Sequence, residues 1–234
     1  MNFPFRESYC FLFSLFISAF SLNAQTTTQV VVQDFETWSQ IGVSKKFNDE
    51  FKMQLNQGLR LNDNSSSVDQ VLTNLSGIYQ KTDAVSFGFG IRYIRNKGNI
   101  SGEYENLMRY NFDFGVKHQL DRFHFKYRLR LQTKDEIGYS RNEGDFLNHG
   151  QRLKVGVRYN IKNWKLDPKF STELFRYSGR YILSSFEKIR FTLGTEYKIK
   201  KFGEVGIFYR IERELVGTYP KTTNILGLNF TYKL

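Results

Sequence analysis

Arginine residues occupy polar positions in several segments whose alternate positions are apolar. Arg128 and Arg130 alternate with Tyr127, Leu129 and Leu131. If such polar faces share one interior, the guanidinium groups form a cationic lining that favours anions, since rings of Arg and Lys select for them. The candidate lining residues are Arg60, Arg92, Arg109, Arg128, Arg130, Arg152, Arg158, Glu173, Arg190, Glu196 and Arg210, with Asp113, Glu204 and Glu212 as further acids.

Two interpretations of this charged interior remain open. It is either a pore with a positive lumen, or an interior braced by Arg–carboxylate pairs and too crowded to conduct, which is the favoured of the two. The net charge of +11 also suits contact with anionic lipid or lipopolysaccharide head groups at a membrane surface. Nucleic acid is not expected as a partner, because the chain carries an export signal.

Catalytic chemistry has weak support. Outer-membrane enzymes that cleave lipids place a His near a Ser at the membrane face, but none of His118, His124 and His149 has a Ser two residues away. His118 is expected to be an interfacial residue. A triad assembled from distant strands stays open as an alternative. We therefore predict no catalytic residue.

A metal or cofactor site is not expected either. The segment from Asp135 to His149 holds Glu136, Glu143 and Asp145, whose oxygens suit a hard cation. Their spacing is irregular, so a solvated loop is the expected reading. The sequence has no Gly-rich phosphate loop, CxxC pair or HExxH motif.

The N-terminus has the pattern of a secretory signal. Met1–Ala24 contains an apolar core at Cys10–Leu22 and a plausible cleavage site before Gln25. The single cysteine of the 234 residues lies in this leader, so the mature protein is expected to have no disulfide. We predict a leader at residues 1–24 and one domain at residues 25–234.

The elements that position the charged residues are strands. From Thr37 onward the apolar residues repeat with period two, and no segment has a persuasive helical period. The predicted strands are Trp38–Phe47, Phe51–Leu61, Val71–Gln80, Val85–Tyr93, Met108–Val116, Arg122–Leu131, Leu153–Ile161, Lys165–Tyr177, Ile189–Ile199, Val205–Ile211 and Leu226–Leu234.

Short and long connections alternate, as in outer-membrane barrels. The long ones are expected near Asn62–Gln70, Asn96–Asn106, Asp135–Gly150, Ser178–Glu187 and Glu214–Thr222. We predict an all-β fold, a transmembrane antiparallel up-and-down β-barrel of about 12 strands, with 10–12 possible. The twelfth candidate is Thr28–Phe35, invoked because an even number of strands places both termini at one end.

The apolar face is expected to point at lipid. A Lys or Arg on that face near mid-bilayer costs about 2–4 kcal/mol, and the exceptions Lys45, His118 and Arg176 lie near strand ends. The alternative is a soluble lipocalin-like binder with the same residues turned inward. Aromatic girdles are expected at Trp38, Trp164, Tyr139 and Tyr219.

Several motifs, in this order along the chain, resemble one family. They are Asp34-Phe35-x-x-Trp38, Arg60, Arg92-Tyr93, Tyr127-Arg128-x-Arg130, Pro168 with Glu173-x-Phe175, Lys188-x-Arg190, Tyr209-Arg210 and Phe230-x-Tyr232-x-Leu234. Over Gln33–Leu234 the chain resembles the domain-of-unknown-function 2490 family of bacterial outer-membrane barrels. The resemblance implies outer-membrane location and ten to twelve strands, but no activity and no catalytic residue.

The sequence thus predicts a monomeric outer-membrane barrel of a Gram-negative envelope, non-enzymatic, and either a narrow porin-like pore or a structural barrel. The alternatives are a lipid-modifying barrel enzyme and a soluble periplasmic lipocalin-like binder. Expected partners are outer-membrane lipid, lipopolysaccharide and, during insertion, the barrel-assembly machinery, which would read the C-terminal strand ending at Leu234.

Overall fold

The computed structural model describes residues 31–97, 103–138, 147–179, 182–200 and 202–234, without the side chains of residues 178, 179 and 182–184. The predicted leader Met1–Ala24 and Tyr139 lie outside the described residues. The strands are β1 Val32–Lys46, β2 Phe51–Asn62, β3 Ser67–Gln80, β4 Val85–Lys97, β5 Tyr104–Leu120, β6 Phe123–Glu136, β7 Asn148–Tyr159, β8 Lys169–Gly179, β9 Ile182–Ile199, β10 Gly203–Glu214 and β11 Lys221–Lys233.

These strands form a closed barrel, which confirms the predicted architecture. Each strand pairs antiparallel with its neighbours in the chain, and β1 closes the barrel by pairing parallel with β11, from Val32–Lys221 to Ser44–Lys233. The parallel closure removes the need for an additional strand. Residues 32–35 of the segment Thr28–Phe35 form the start of β1, and residues 28–30 lie outside the described part.

The strands extend beyond their apolar cores, so several connections are shorter than predicted. The connection expected at Asn62–Gln70 is a tight turn at residues 63–66, where Asp63, Asn64 and Ser65 have positive φ. Asp34 accepts a hydrogen bond from the Asn64 amide (3.0 Å). At the other end of the barrel, the β7–β8 connection spans residues 160–168 and is longer than expected. The two ends therefore differ less than the sequence predicts.

The apolar face of the strands points outward. Ile41 on β1 is 64% exposed, Phe89 on β4 is 51% exposed and Leu193 on β9 is 57% exposed, although all three belong to regular strands. Polar side chains such as Asn56, Arg109 and Gln132 are buried instead. This is the predicted lipid-facing orientation, and it is the opposite of the one that a lipocalin-like binder requires.

Some apolar side chains nevertheless lie inside. Leu72, Ile94 and Leu107, on three adjacent strands, form a buried cluster. The ring of Phe208 lies against Gly227 of the paired strand, where a Cβ atom would collide with it. These groups fill part of the interior and confine the water-accessible space. In the described part of the chain, no helix is long and apolar enough to cross a membrane.

Candidate functional site: the arginine-lined lumen

One cavity of about 500 Å³ inside the barrel collects most of the predicted lining residues. Its wall includes ten cationic side chains: Arg60, Arg92, Arg109, Arg128, Arg130, Arg152, Lys154, Lys188, Arg190 and Arg210. It includes four acidic ones: Glu36, Asp69, Glu173 and Glu212. The lumen therefore has a large excess of positive charge.

On the side of the lumen formed by β6 to β10, Glu173 neutralises part of the positive charge. Its carboxylate lies 2.6 Å from Arg128 Nη2, 2.8 Å from Arg152 Nη2 and 3.5 Å from Arg190 Nη1. The Glu173 side chain is only 4% exposed. Because three guanidinium groups on three strands converge on one buried carboxylate, Glu173 ties β6, β7, β8 and β9 together.

Two further acids complete this network. Glu212 accepts a hydrogen bond from Arg190 Nε (2.6 Å) and pairs with Lys188 (2.5 Å). Asp113 receives two parallel hydrogen bonds, each 2.6 Å, from Nε and Nη2 of Arg130. We call these residues the braced wall: Asp113, Arg128, Arg130, Arg152, Glu173, Lys188, Arg190 and Glu212.

On the side of the lumen formed by β2 to β5, the arginines have no described acidic partners. Arg60 Nη1 donates to Gln70 Oε1 (2.8 Å) and Arg92 Nε donates to Asn74 Oδ1 (3.1 Å), so both bind neutral amides. Within the described residues, no carboxylate lies within 4.0 Å of Arg60, Arg92 or Arg109. We call these three residues the arginine wall.

Register places like charges opposite one another. Arg92 is paired with Arg109, Arg130 with Arg152, and Arg128 with Lys154. Like charges directly opposite on adjacent strands destabilise a sheet. Glu173 and Asp113 offset this repulsion at the last two pairs, whereas the Arg92–Arg109 pair lacks a described acid.

Trp38 lies in the lumen, which corrects its predicted place in an aromatic girdle. Its ring centroid is 3.7 Å from Arg60 Cζ and 4.8 Å from Arg210 Cζ, and its indole N–H donates to Glu36 (2.7 Å). The girdle was expected from residue type alone, but Trp38 shares the strand face of Glu36. Trp164 (59% exposed) and Tyr219 (64% exposed) lie in connections, as expected of girdle residues.

The structure brings nine of the eleven predicted lining residues to this cavity, and Arg158 and Glu196 lie elsewhere. Those two line a second cavity of about 880 Å³, near the end of the barrel that carries residues 81–84. Arg158 lies 4.0 Å from Asp167, and Glu196 pairs with Lys169. The two cavities share Lys154, Phe208, Arg210 and Asn229, so they adjoin.

The predicted lining did not include four of the cavity's charged residues: Glu36, Asp69, Lys154 and Lys188. For three of them, the two-residue spacing in the sequence predicts a position on the lumen side of a strand. Lys154 and Lys188 stand two residues from Arg152 and Arg190, and Glu36 stands two residues from Trp38, so they share their strand faces. Asp69 had no such signal, because the register shift between Arg60 and Leu61 brings it to the lumen.

The histidines lie apart from this network. His118 stacks on Phe125 (4.8 Å between centroids) and Tyr127 (5.7 Å), which suits an interfacial residue. His149 Nδ1 is 3.1 Å from the Thr133 hydroxyl. Among the described residues, no group of three or more His, Cys, Asp or Glu side chains is placed to hold a metal ion. Glu143 and Asp145 of the predicted loop lie outside them.

Comparison with known proteins gives a family. A family model described as "Protein of unknown function (DUF2490)" matches residues 35–218. No curated protein matches the chain. Among solved structures, the chain is similar to the beta domain of the Bordetella autotransporter Brka, with 10% identity and a TM-score of 0.47, over 76% of this chain and 82% of that one.

Proposed function

The chain belongs to the DUF2490 family of unknown function, and we propose that it is a Gram-negative outer-membrane barrel that forms a narrow, anion-favouring pore. The observation that carries the proposal is the cavity with ten cationic and four acidic lining residues. Rings of Arg and Lys favour anions in pores. The acids of the braced wall hold the barrel together, and they leave the arginine wall to set the sign of the potential in the lumen.

The outward apolar face supports the membrane location. Leu55, Phe112 and Leu153 are about half exposed in mid-strand, and exposed apolar surface on this scale is costly in water but stable against hydrocarbon. The predicted leader is in keeping with export. Lipid and lipopolysaccharide head groups are then the partners at the rims, and the barrel-assembly machinery is the partner during insertion.

The proposed protein is a monomer without an enzymatic activity. Most of the Arg and Glu residues that cluster in the lumen contact one another, amides or aromatic rings, and a fixed electrostatic lining needs no cofactor. The finding that would favour the lipid-modifying alternative is turnover of phospholipid or lipopolysaccharide by the purified protein, abolished in His118→Ala.

Conductance tests the pore. The purified protein, shown to be folded by a heat-dependent shift in gel mobility, is inserted into planar lipid bilayers in KCl. We expect discrete current steps that are small compared with those of wide porins, because the lumen is partly filled. If the folded protein inserts without conducting, the pore is contradicted and the interpretation as a structural barrel holds. Recovery in the soluble periplasm would contradict the membrane location as well.

A further inference from the structure

We infer that the arginine wall binds a phosphate-class oxyanion, held chiefly by Arg109 and Arg92 with Arg60 as a third contact. The inference deepens the proposed function, since it assumes that small solutes enter the lumen. It names the class of anion for which the lining is built.

Arg109 provides the first observation. The residue is 8% exposed, and its Nε and Nη2 atoms are buried and hydrogen-bonded to no described residue. In Arg130 the same two nitrogens donate to the two oxygens of Asp113, each at 2.6 Å. Arg109 itself lines the cavity, and the edge of its guanidinium group that corresponds to the bidentate edge of Arg130 has no described partner.

Arg92 and Arg60 provide the second observation. Arg92 is the cross-strand partner of Arg109, so the two side chains leave their strands about 5 Å apart. Asn74 and Gln70 orient Arg92 and Arg60 through one hydrogen bond each, and an amide carries no charge to neutralise them. Arg60, Arg92 and Arg109 thus border one cavity, and none of the three forms an ion pair with a described carboxylate.

This arrangement fits a tetrahedral oxyanion better than chloride. A guanidinium group offers a planar fork that matches two oxygens of a phosphate, and several forks can bind different oxygens of the same group. A spherical ion gains no such directional fit. Because the barrel wall is closed, a phospholipid head group whose tails stay in the bilayer does not reach the lumen. The ligand class is therefore a free phosphate compound.

Trp38 allows a direct test. The chain has two Trp residues, so Trp164→Phe leaves only Trp38, whose ring lies 3.7 Å from Arg60 Cζ. The full-length protein in detergent is titrated with inorganic phosphate and pyrophosphate at constant ionic strength, by fluorescence and by calorimetry. We expect saturable binding of both anions, with tighter binding of pyrophosphate.

Variants assign the site. Arg109→Gln and Arg92→Gln should each weaken pyrophosphate binding roughly ten- to hundredfold, the worth of a charged hydrogen bond. Arg122→Gln, in the exposed β5–β6 turn, removes the same charge outside the lumen and should leave affinity unchanged. All variants must retain the heat-dependent gel shift. Absence of saturable binding by the parent protein, or equal affinity in Arg109→Gln, would overturn the inference.

Planar bilayers separate this inference from the proposed pore. Pyrophosphate binding in detergent without any current would retain the site and reject the pore. Chloride current without pyrophosphate binding or block would retain the pore and reject the site. We expect chloride current that pyrophosphate reduces in the parent protein, and much higher pyrophosphate concentrations for the same reduction in Arg109→Gln.

Discussion

On the two sides of the lumen, arginine residues make different kinds of contact. On the braced wall, Glu173 alone is within 3.5 Å of three arginines, so part of the positive charge is neutralised and four strands are cross-linked. On the arginine wall, Arg60 and Arg92 bind amides, and two nitrogens of Arg109 have no described partner. A buried charge without a counter-charge destabilises a fold. The difference suits the inference made above, in which one wall braces the barrel and the other binds the anion.

The largest expected effect comes from Glu173→Gln. The variant keeps the shape of the side chain and leaves Arg128, Arg152 and Arg190 without their common acid, which should lower the free energy of unfolding by about 3–5 kcal/mol. Urea unfolding in lipid vesicles measures it. The control is Glu204→Gln, which breaks a partly exposed pair with Lys233 and should cost less than about 1 kcal/mol. Equal losses of unfolding free energy in the two variants would show that Glu173 contributes no more to stability than an exposed ion pair does.

A double-mutant cycle tests the bidentate pair within the braced wall. Asp113→Asn and Arg130→Gln each break two short hydrogen bonds. We expect a coupling free energy of about 1.5–3 kcal/mol, because both bonds join charged groups. The same unfolding assay on the two single variants and the double variant gives this value. Additive losses would show that the pair does not act as a unit.

Arg109→Gln should change stability in the opposite direction. Removing a buried charge that lacks a described carboxylate relieves repulsion with Arg92, so the barrel should become more stable by about 1 kcal/mol. The comparison is with Arg152→Gln, which removes a cation paired with Glu173 and should destabilise. Loss of stability in both variants would mean that the arginine wall is braced in a way that the described contacts do not show.

Removal of the Trp38 ring should have an effect of similar size on stability. Trp38→Leu deletes the face that lies 3.7 Å from Arg60 Cζ, a contact worth about 0.5–2 kcal/mol. We expect a stability loss in this range and a weaker one in Trp38→Phe, which keeps an aromatic face. An aromatic residue of an outer girdle would instead show its effect in vesicles of different lipid thickness, and no such dependence is expected.

The sequence was sufficient to predict the barrel, because period-two alternation specifies both strands and faces. It also placed most lining arginines, since every second residue of a strand shares one side. The pairings between charged side chains could not be predicted from the sequence. That Glu173 meets Arg190 and Lys154 depends on register between strands, which hairpin patterns do not specify when strands extend past their apolar cores. The parallel β1–β11 closure was likewise hidden, because no local signal distinguishes it from an additional strand.

The reversal potential in a KCl gradient across a planar bilayer tests the central claim most directly. The protein should pass chloride in preference to potassium. Changing Arg92 and Arg109 together to Gln should reduce that preference, while Arg122→Gln should leave it intact. A potential that shows cation preference, or one that is the same in the double variant as in the parent protein, would contradict an anion-favouring lumen set by the arginine wall.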